Sequence, residues 1–481
     1  MKKLKIGFAA GFMDGFSTVG LDLFAKYQKE LDRMSETLGF ETVHFEKAMM
    51  NIRDAQRIRR ELDEKDVDLL LLFMPAYIIG DQVYEVMKTR AGVGLWAIEE
   101  PRNQGPMPIA SFVNLSQNAS IARNYFKGGG RKTKWFFGPI DGPLFKTRFE
   151  ITVRVLGAIK NLRDARVAQI GKLADGHINH YNDVRDIYRR LGVDVSRDYE
   201  VEDVIALAEE VQAAEAQREL EKLTAQTTRS RIGADKIEES VRMFLAIRDL
   251  CLENGYEAVA FSCWPKLMPL KGMSGCLVNA LLNNAGIVAG CEADVLSTVS
   301  MLALRYLTGS STVLMDLPKF DLEDNTLMLW HCGTSPFDMA DQRGVKLDRH
   351  YFADYTSDER LKDVGPTTDV VFRPSDVTVF RITGEADGFY YFTGRTFDGR
   401  KKTFHGSRGW VKDLRLYGEP VQVLDLVNTM LVHGLPHHYP MVLENAGGYI
   451  EELCYWLDLK KVPKIPYRDY LYVPGSPREY T

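Results

Sequence analysis

Short, mostly apolar runs alternate along the first two thirds of the chain with longer stretches of helical period. The runs Leu4–Ala9, Val67–Phe73, Val93–Ile98, Arg166–Gly171, Ala258–Ser262, Ile287–Cys291 and Ser311–Met315 read as strands, Val67–Phe73 as one covered on both faces. Between them, Leu21–Leu38, Ile52–Lys65, Ile237–Asn254, Met273–Asn284 and Asp294–Leu307 place apolar residues three and four apart, the signature of helices laid against a sheet. Val201–Leu223 reads as one long charged helix with a solvated face. Strands alternating with helices predict βαβ units and a parallel sheet. Beyond Asp348 the period drops to two. Val370–Arg373, Asp376–Ile382, Gly388–Arg395 and Lys402–Phe404 alternate apolar and polar residues between turn signals, as antiparallel strands do. Helix returns at Val421–Val432 and Tyr449–Leu457, separated by the loop HGLPHHYP and a short strand, Met441–Glu444.

The pattern predicts an α/β protein. Two doubly wound parallel-sheet domains of flavodoxin or Rossmann type, residues 1–165 and 166–348, precede a small antiparallel β-barrel-like C-terminal domain, residues 349–481. A length of 481 residues suits several domains. The net charge of −5, with no basic run, argues against nucleic acid as a partner. No apolar run approaches membrane-spanning length, and MKKLKIGFAAGF reads as a first strand rather than a signal peptide. Four of the six cysteines lie between Cys251 and Cys291 without a CxxC pair, which predicts free buried thiols and a reducing cytoplasm. Gly128-Gly129-Gly130 lacks a phosphate-binding frame and reads as a turn.

Candidate chemistry lies where strands end. In parallel sheets ligands bind beyond the carboxyl ends of the strands. Ala258–Ser262 runs into Cys263-Trp264-Pro265, Ile287–Cys291 into Glu292-Ala293-Asp294, and Ser311–Met315 into Asp316. Asp294 suits an N-cap for the following helix. Glu292, one position further out, has no such structural task. Two carboxylates on neighbouring strand ends suit a divalent metal or acid–base work at a carbon beside a carbonyl. His437-His438, in the loop before the last strand, and His331, ending Thr326–His331, add imidazole ligands. Cys263 has no base nearby in sequence, so Trp264 reads as a wall against which substrate packs. No GxSxG elbow supports a serine triad.

The segments CWPKL, GCEADVLSTVSMLAL, MDLPKFD and GLPHHYPMV together resemble the L-fucose isomerase and L-arabinose isomerase superfamily, over roughly residues 257–445. The resemblance implies a metal-dependent aldose–ketose isomerase working through an enediolate. Its cofactor would be Mn²⁺ or another divalent metal such as Co²⁺ or Mg²⁺. Glu292 and Asp316 match the acidic ligands that also move protons, and His438 matches the histidine ligand, with His437 one register away. His331 matches an extra ligand of the arabinose branch. The substrate would be a small sugar, deoxy, acidic or sulfonated hexoses included. The resemblance also implies a homo-oligomer with sites shared between subunits, where Arg102, at a strand end of the first domain, would meet an anionic group. A sugar-binding or regulatory protein and a metal-dependent lyase or aldolase are the alternatives.

Overall fold

The computed structural model describes residues 2–471 apart from 14, 17, 18, 399 and 400. Its internal contacts separate two units, Met1–Lys160 and Asn161–Thr481.

In the first unit, β1 (Leu4–Ala10), β2 (Phe40–His44), β3 (Leu69–Met74), β4 (Gly92–Ala97) and β5 (Thr133–Phe137) form a parallel sheet in the order β2-β1-β3-β4-β5. That is the flavodoxin-like doubly wound order. Its centre, β3, is buried at every residue, as an all-apolar LLLLFM run requires.

The second unit begins with another parallel sheet. It contains β6 (Arg166–Ile170), β7 (Asp194–Tyr199), β9 (Ala258–Phe261) and β10 (Val288–Cys291), ordered β10-β9-β6-β7, while the short β8 (Thr227–Arg229) pairs elsewhere. The expected long helix Val201–Leu223 is two helices, Val201–Glu210 and Ala213–Gln226. The break falls at Val211 and Gln212, both with extended backbone.

After the helix Val295–Thr308 the chain leaves this sheet. β11 (Thr312–Asp321) is therefore not a parallel neighbour of β10. It pairs antiparallel with β12 (Thr326–His331), and a short hairpin closes them with far less chain than a crossover needs. Following β13 (Val345–Asp348) and β14 (Thr367–Val371) come β15 (Ser375–Thr383), β16 (Gly388–Thr396), β17 (Ser407–Leu416), β18 (Glu419–Pro420) and β19 (Tyr439–Val442). A strand stands at Ser407–Leu416 rather than at Lys402–Phe404. Strands β15, β16, β17, β12, β11 and β19 pair in a ring, so the antiparallel sheet closes into a barrel. Closure removes exposed edges, and Val313, Met315, Leu329, Val379, Phe392 and Met441 fill the interior. The barrel takes strands from both sides of residue 348.

The helix Val295–Thr308 joins the parallel sheet to the barrel. Its Ser300 hydroxyl accepts from the Ile382 N–H on β15 at 3.0 Å. Its Thr298 lies so close to β10 that a Cβ at Gly290 would overlap Thr298 Oγ1 and reach its Cβ at 3.2 Å. Gly290→Ala is expected to lower stability by about 1–3 kcal/mol through overpacking. In a denaturant titration this appears as a lower midpoint with an unchanged slope.

Candidate functional site

Glu292 follows β10 directly. It and Ala293 have φ of 59° and 56°, two successive side-chain-bearing residues in the left-handed region. Each costs roughly 1–2 kcal/mol and persists only where the surroundings hold it. The next residue does the holding. Asp294 caps the helix Val295–Thr308, accepting from the Ser297 N–H at 3.0 Å.

Asp294 is fully buried and surrounded by donors. It accepts from the Ser297 hydroxyl at 2.7 Å, from His438 Nδ1 at 3.0 Å and from Arg381 Nη1 at 3.2 Å, and His180 Nδ1 stands 2.8 Å away. Burial alone would favour its protonated form. Arg381 and the two imidazoles outweigh burial and hold the carboxyl well below the usual range. Arg381, itself buried on β15, also donates to the Ser297 hydroxyl oxygen and, at 2.9 Å, to the His438 carbonyl oxygen. His438 is thus fixed at both its ring and its backbone.

With Nδ1–H committed to Asp294, the ring of His438 offers Nε2 as a lone pair once it is deprotonated. That nitrogen faces Glu292 Oε2 at 3.1 Å, and Oε2 is buried with no hydrogen-bond partner. Two acceptors turned toward each other need a cation or a proton between them. Burial opposes charge on His438, but Asp294 and Glu292 raise its pKa to about 9. Burial would likewise raise the Glu292 carboxyl, yet His438, with His331 and His177, draws it down to about 2.

The barrel supplies the other side. Asp316 sits on β11 where Pro318, lacking an N–H, interrupts the ladder and the register against β12 slips between Asp316 and Lys319. Asp316 Oδ1 and His331 Nδ1 are also buried without hydrogen-bond partners. Burial raises the Asp316 pKa and lowers that of His331, keeping its ring neutral. Ligand atoms of Asp316, His331 and His438 lie within 4.8 Å of one another, as do those of Cys291, Glu292 and His331. Three orphaned buried polar atoms around a lone-pair nitrogen fit a divalent cation. Carboxylate and imidazole donors suit Mn²⁺ or a similar ion.

The remaining expected residues are placed differently, His437 with a ligand atom within 4.8 Å of those of His177 and Glu292. His437 is exposed; its Nδ1 is 3.3 Å from the Asn179 amide nitrogen and its Nε2 3.4 Å from His180 Nε2. Trp264 is half-buried and packs edge-on against Phe352. Arg102 belongs to the first unit, where it donates to the Pro106 carbonyl oxygen at 3.2 Å. Sequence reasoning did not assign His177, His180 or Arg381. His177 Nδ1 stands 3.6 Å from Glu292 Oε2, and His180 stacks on His438 with ring centroids 4.2 Å apart. The spacing HINH was a usable signal, and so was a lone arginine in the apolar strand VTVFRIT, since a buried charge requires a partner. A cavity of about 520 Å³ opens beside this strand end, lined by Trp330 and Cys332, which flank His331, and by Tyr351. None of the four candidate ligands lines it directly.

Replacing Asp294 with Asn removes the charge that orients His438. Asp294→Asn is expected to weaken Mn²⁺ binding by about 10–100-fold, measured by calorimetric titration of protein shown by circular dichroism to be folded.

No model of a known protein family matches the chain. It is 21% identical over 351 residues to a sulfoquinovose isomerase of Priestia aryabhattai, covering 72% of this chain and 75% of that one. It is 22% identical over 363 residues to a sulfoquinovose isomerase of Alkalicoccus urumqiensis, covering 75% and 77%. A sulfoquinovose isomerase of Clostridium sp. (strain MSTE9) is 33% identical over 172 residues, 35% of this chain and 36% of that one. Among solved structures, the XylFII molecule aligns with a TM-score of 0.17 at 9% identity, covering 64% of this chain and 92% of that one. By its curated relatives the chain is an enzyme, an intramolecular oxidoreductase of the aldose–ketose isomerase type.

Proposed function

We propose that this isomerase acts on a sulfonated hexose of the sulfoquinovose kind and that Glu292, Asp316, His331 and His438 hold a divalent metal, Mn²⁺ foremost. The observations that carry the metal reading are that Glu292 Oε2, Asp316 Oδ1 and His331 Nδ1 are buried and unpartnered, that Asp316, His331 and His438 offer ligand atoms within 4.8 Å of one another, and that Glu292 Oε2 stands 3.1 Å from His438 Nε2. The substrate reading rests on the relatives, which are sulfoquinovose isomerases.

A bound cation would polarise the sugar oxygens at C1 and C2 and stabilise the negative charge that develops there. The protein's own residues do the rest. Converting aldose to ketose moves one proton from C2 to C1 and one from the C2 hydroxyl to the C1 oxygen. A carboxylate at the strand ends removes the carbon-bound proton and returns it to the neighbouring carbon, and Glu292 and Asp316 are the two placed for this. They come from different sheets, Glu292 from the parallel sheet and Asp316 from the barrel, so the pair can flank a substrate lying between them. His331, kept neutral by burial, adds a ligand without adding charge. Asp294 and Arg381 touch no substrate in this scheme; they fix the His438 ring. Burial of these groups excludes water, which strengthens every charge interaction within the site.

A binding protein has no use for two carboxylates with unpartnered buried oxygens, whose desolvation costs free energy unless chemistry or a cation employs them. That weighs against the alternative of a sugar-binding or regulatory protein.

The test is incubation of the Mn²⁺-loaded enzyme with sulfoquinovose, glucose, L-fucose and L-arabinose, with the ketose detected by carbon nuclear magnetic resonance. The sulfonated sugar is expected to give ketose with the highest kcat/KM. Turnover of a neutral sugar alone would overturn the substrate assignment. Glu292→Gln keeps the volume and removes the basicity. It is expected to lower kcat by about 100-fold or more, and retention of a tenth of the activity would remove Glu292 from proton transfer.

A further inference from the structure

Next to the carboxylate–histidine set lies a second cluster with different donors. Cys276 is the first residue of the helix Cys276–Asn284, Cys332 follows His331 at the end of β12, and His350 lies just beyond β13. One ligand atom from each stands within 4.8 Å of the other two. Cys276 and His350 are only 1% and 2% exposed, and Cys332 is half-buried at the wall of the cavity. His350 Nδ1 accepts from the Phe352 N–H at 3.2 Å, which fixes the ring and leaves Nε2 as the donor for a cation.

The three positions are held by close packing, so the cluster is preformed. A Cβ at Gly275, just before Cys276, would meet the Phe261 ring at 2.9 Å and Cys263 Cβ at 3.1 Å. At Gly333, just after Cys332, φ is 137° and a Cβ would meet Thr367 Cβ at 2.6 Å and the Thr368 nitrogen at 2.9 Å.

We propose that Cys276, Cys332 and His350 form a second metal site, for a soft or borderline cation such as Zn²⁺, separate from the carboxylate–histidine set. Two thiolates and an imidazole select Zn²⁺, Cd²⁺ or Cu⁺ over Mn²⁺ and Mg²⁺, whereas two carboxylates and two imidazoles accept the harder ions. Binding releases the two thiol protons to solvent and forms two metal–sulfur bonds and one metal–nitrogen bond. The cavity lined by Cys332 gives a water access to the fourth position of a tetrahedral ion. The site ties together a helix N-terminus, the end of β12 and the segment after β13, and so braces the strand that carries His331. A disulfide between Cys276 and Cys332 would leave His350 without a part. The imidazole within reach of both sulfurs favours the cation.

The test is titration of the reduced, metal-free, full-length protein with Co²⁺ under anaerobic conditions. One equivalent is expected to produce a thiolate-to-cobalt charge-transfer band in the near ultraviolet. The band should persist in Glu292→Gln and in Cys291→Ser, and be lost in Cys276→Ser. Zn²⁺ should displace the Co²⁺ and abolish it. His350→Gln, which keeps both thiols, should shift or weaken the band, and it serves as the deciding variant if Cys276→Ser does not fold. A wild-type protein that gives no charge-transfer band overturns the proposal. So does a band that survives in folded Cys276→Ser, one that is unaltered in His350→Gln, or one that depends on Cys291 instead. These outcomes are independent of whether the protein turns over a sulfonated sugar.

Discussion

The second unit depends on how one buried carboxylate is satisfied. Asp294 lies where no water reaches it, and an unpaired charge there would cost several kcal/mol. Arg381, Ser297, His438 and the adjacent His180 meet that demand, and each comes from a different part of the chain: barrel strand, helix, late loop and early loop. The same contacts cap a helix, seat β15 on it, and orient the imidazole that faces Glu292. The left-handed pair Glu292-Ala293 is tolerated for the same reason, because its neighbour is anchored on every side. Stability and site geometry therefore rest on one set of bonds, and a change that frees Asp294 disturbs both.

The site is assembled from two kinds of sheet. The parallel sheet contributes Glu292 from a strand end, the usual place for ligands in α/β folds. The closed barrel contributes Asp316, His331 and, just before β19, His438. A closed barrel is stiff, since every strand is paired on both sides. It fixes three groups in relation to one another, and the Pro318 bulge aims Asp316. The parallel strands alone bring one acid; the second comes only because the chain leaves that sheet after Val295–Thr308 and folds back as a hairpin.

Much of this was legible in the sequence. The apolar runs located β3, β4, β9 and β10, because strands covered on both faces carry few polar residues. CEADV and the histidine doublet pointed to the candidate site, because charged residues stood where apolar runs stopped. Other parts were not legible. The neighbours of β11 depend on which backbone partners lie nearest after a helix, and β11 is as apolar at its start as a parallel strand would be. The break at Val211-Gln212 carries neither glycine nor proline, so helical period continued across it without a signal. Arg381 was visible as an oddity within VTVFRIT, but its partner lies 87 residues away on another element, beyond any local pattern. His177 and His180 sat in a loop whose fold, not its composition, brings them to Glu292 and His438.

The central claim is that Glu292, Asp316, His331 and His438 gather on one cation. Its most direct measurement is a Mn²⁺ titration of metal-free protein followed by electron paramagnetic resonance, on the wild type and on single variants at each of the four positions. The claim predicts one ion bound at this set per chain. It also predicts a loss of affinity of about tenfold or more in Glu292→Gln, Asp316→Asn, His331→Gln and His438→Gln alike. Wild-type affinity retained in the two histidine variants would contradict it.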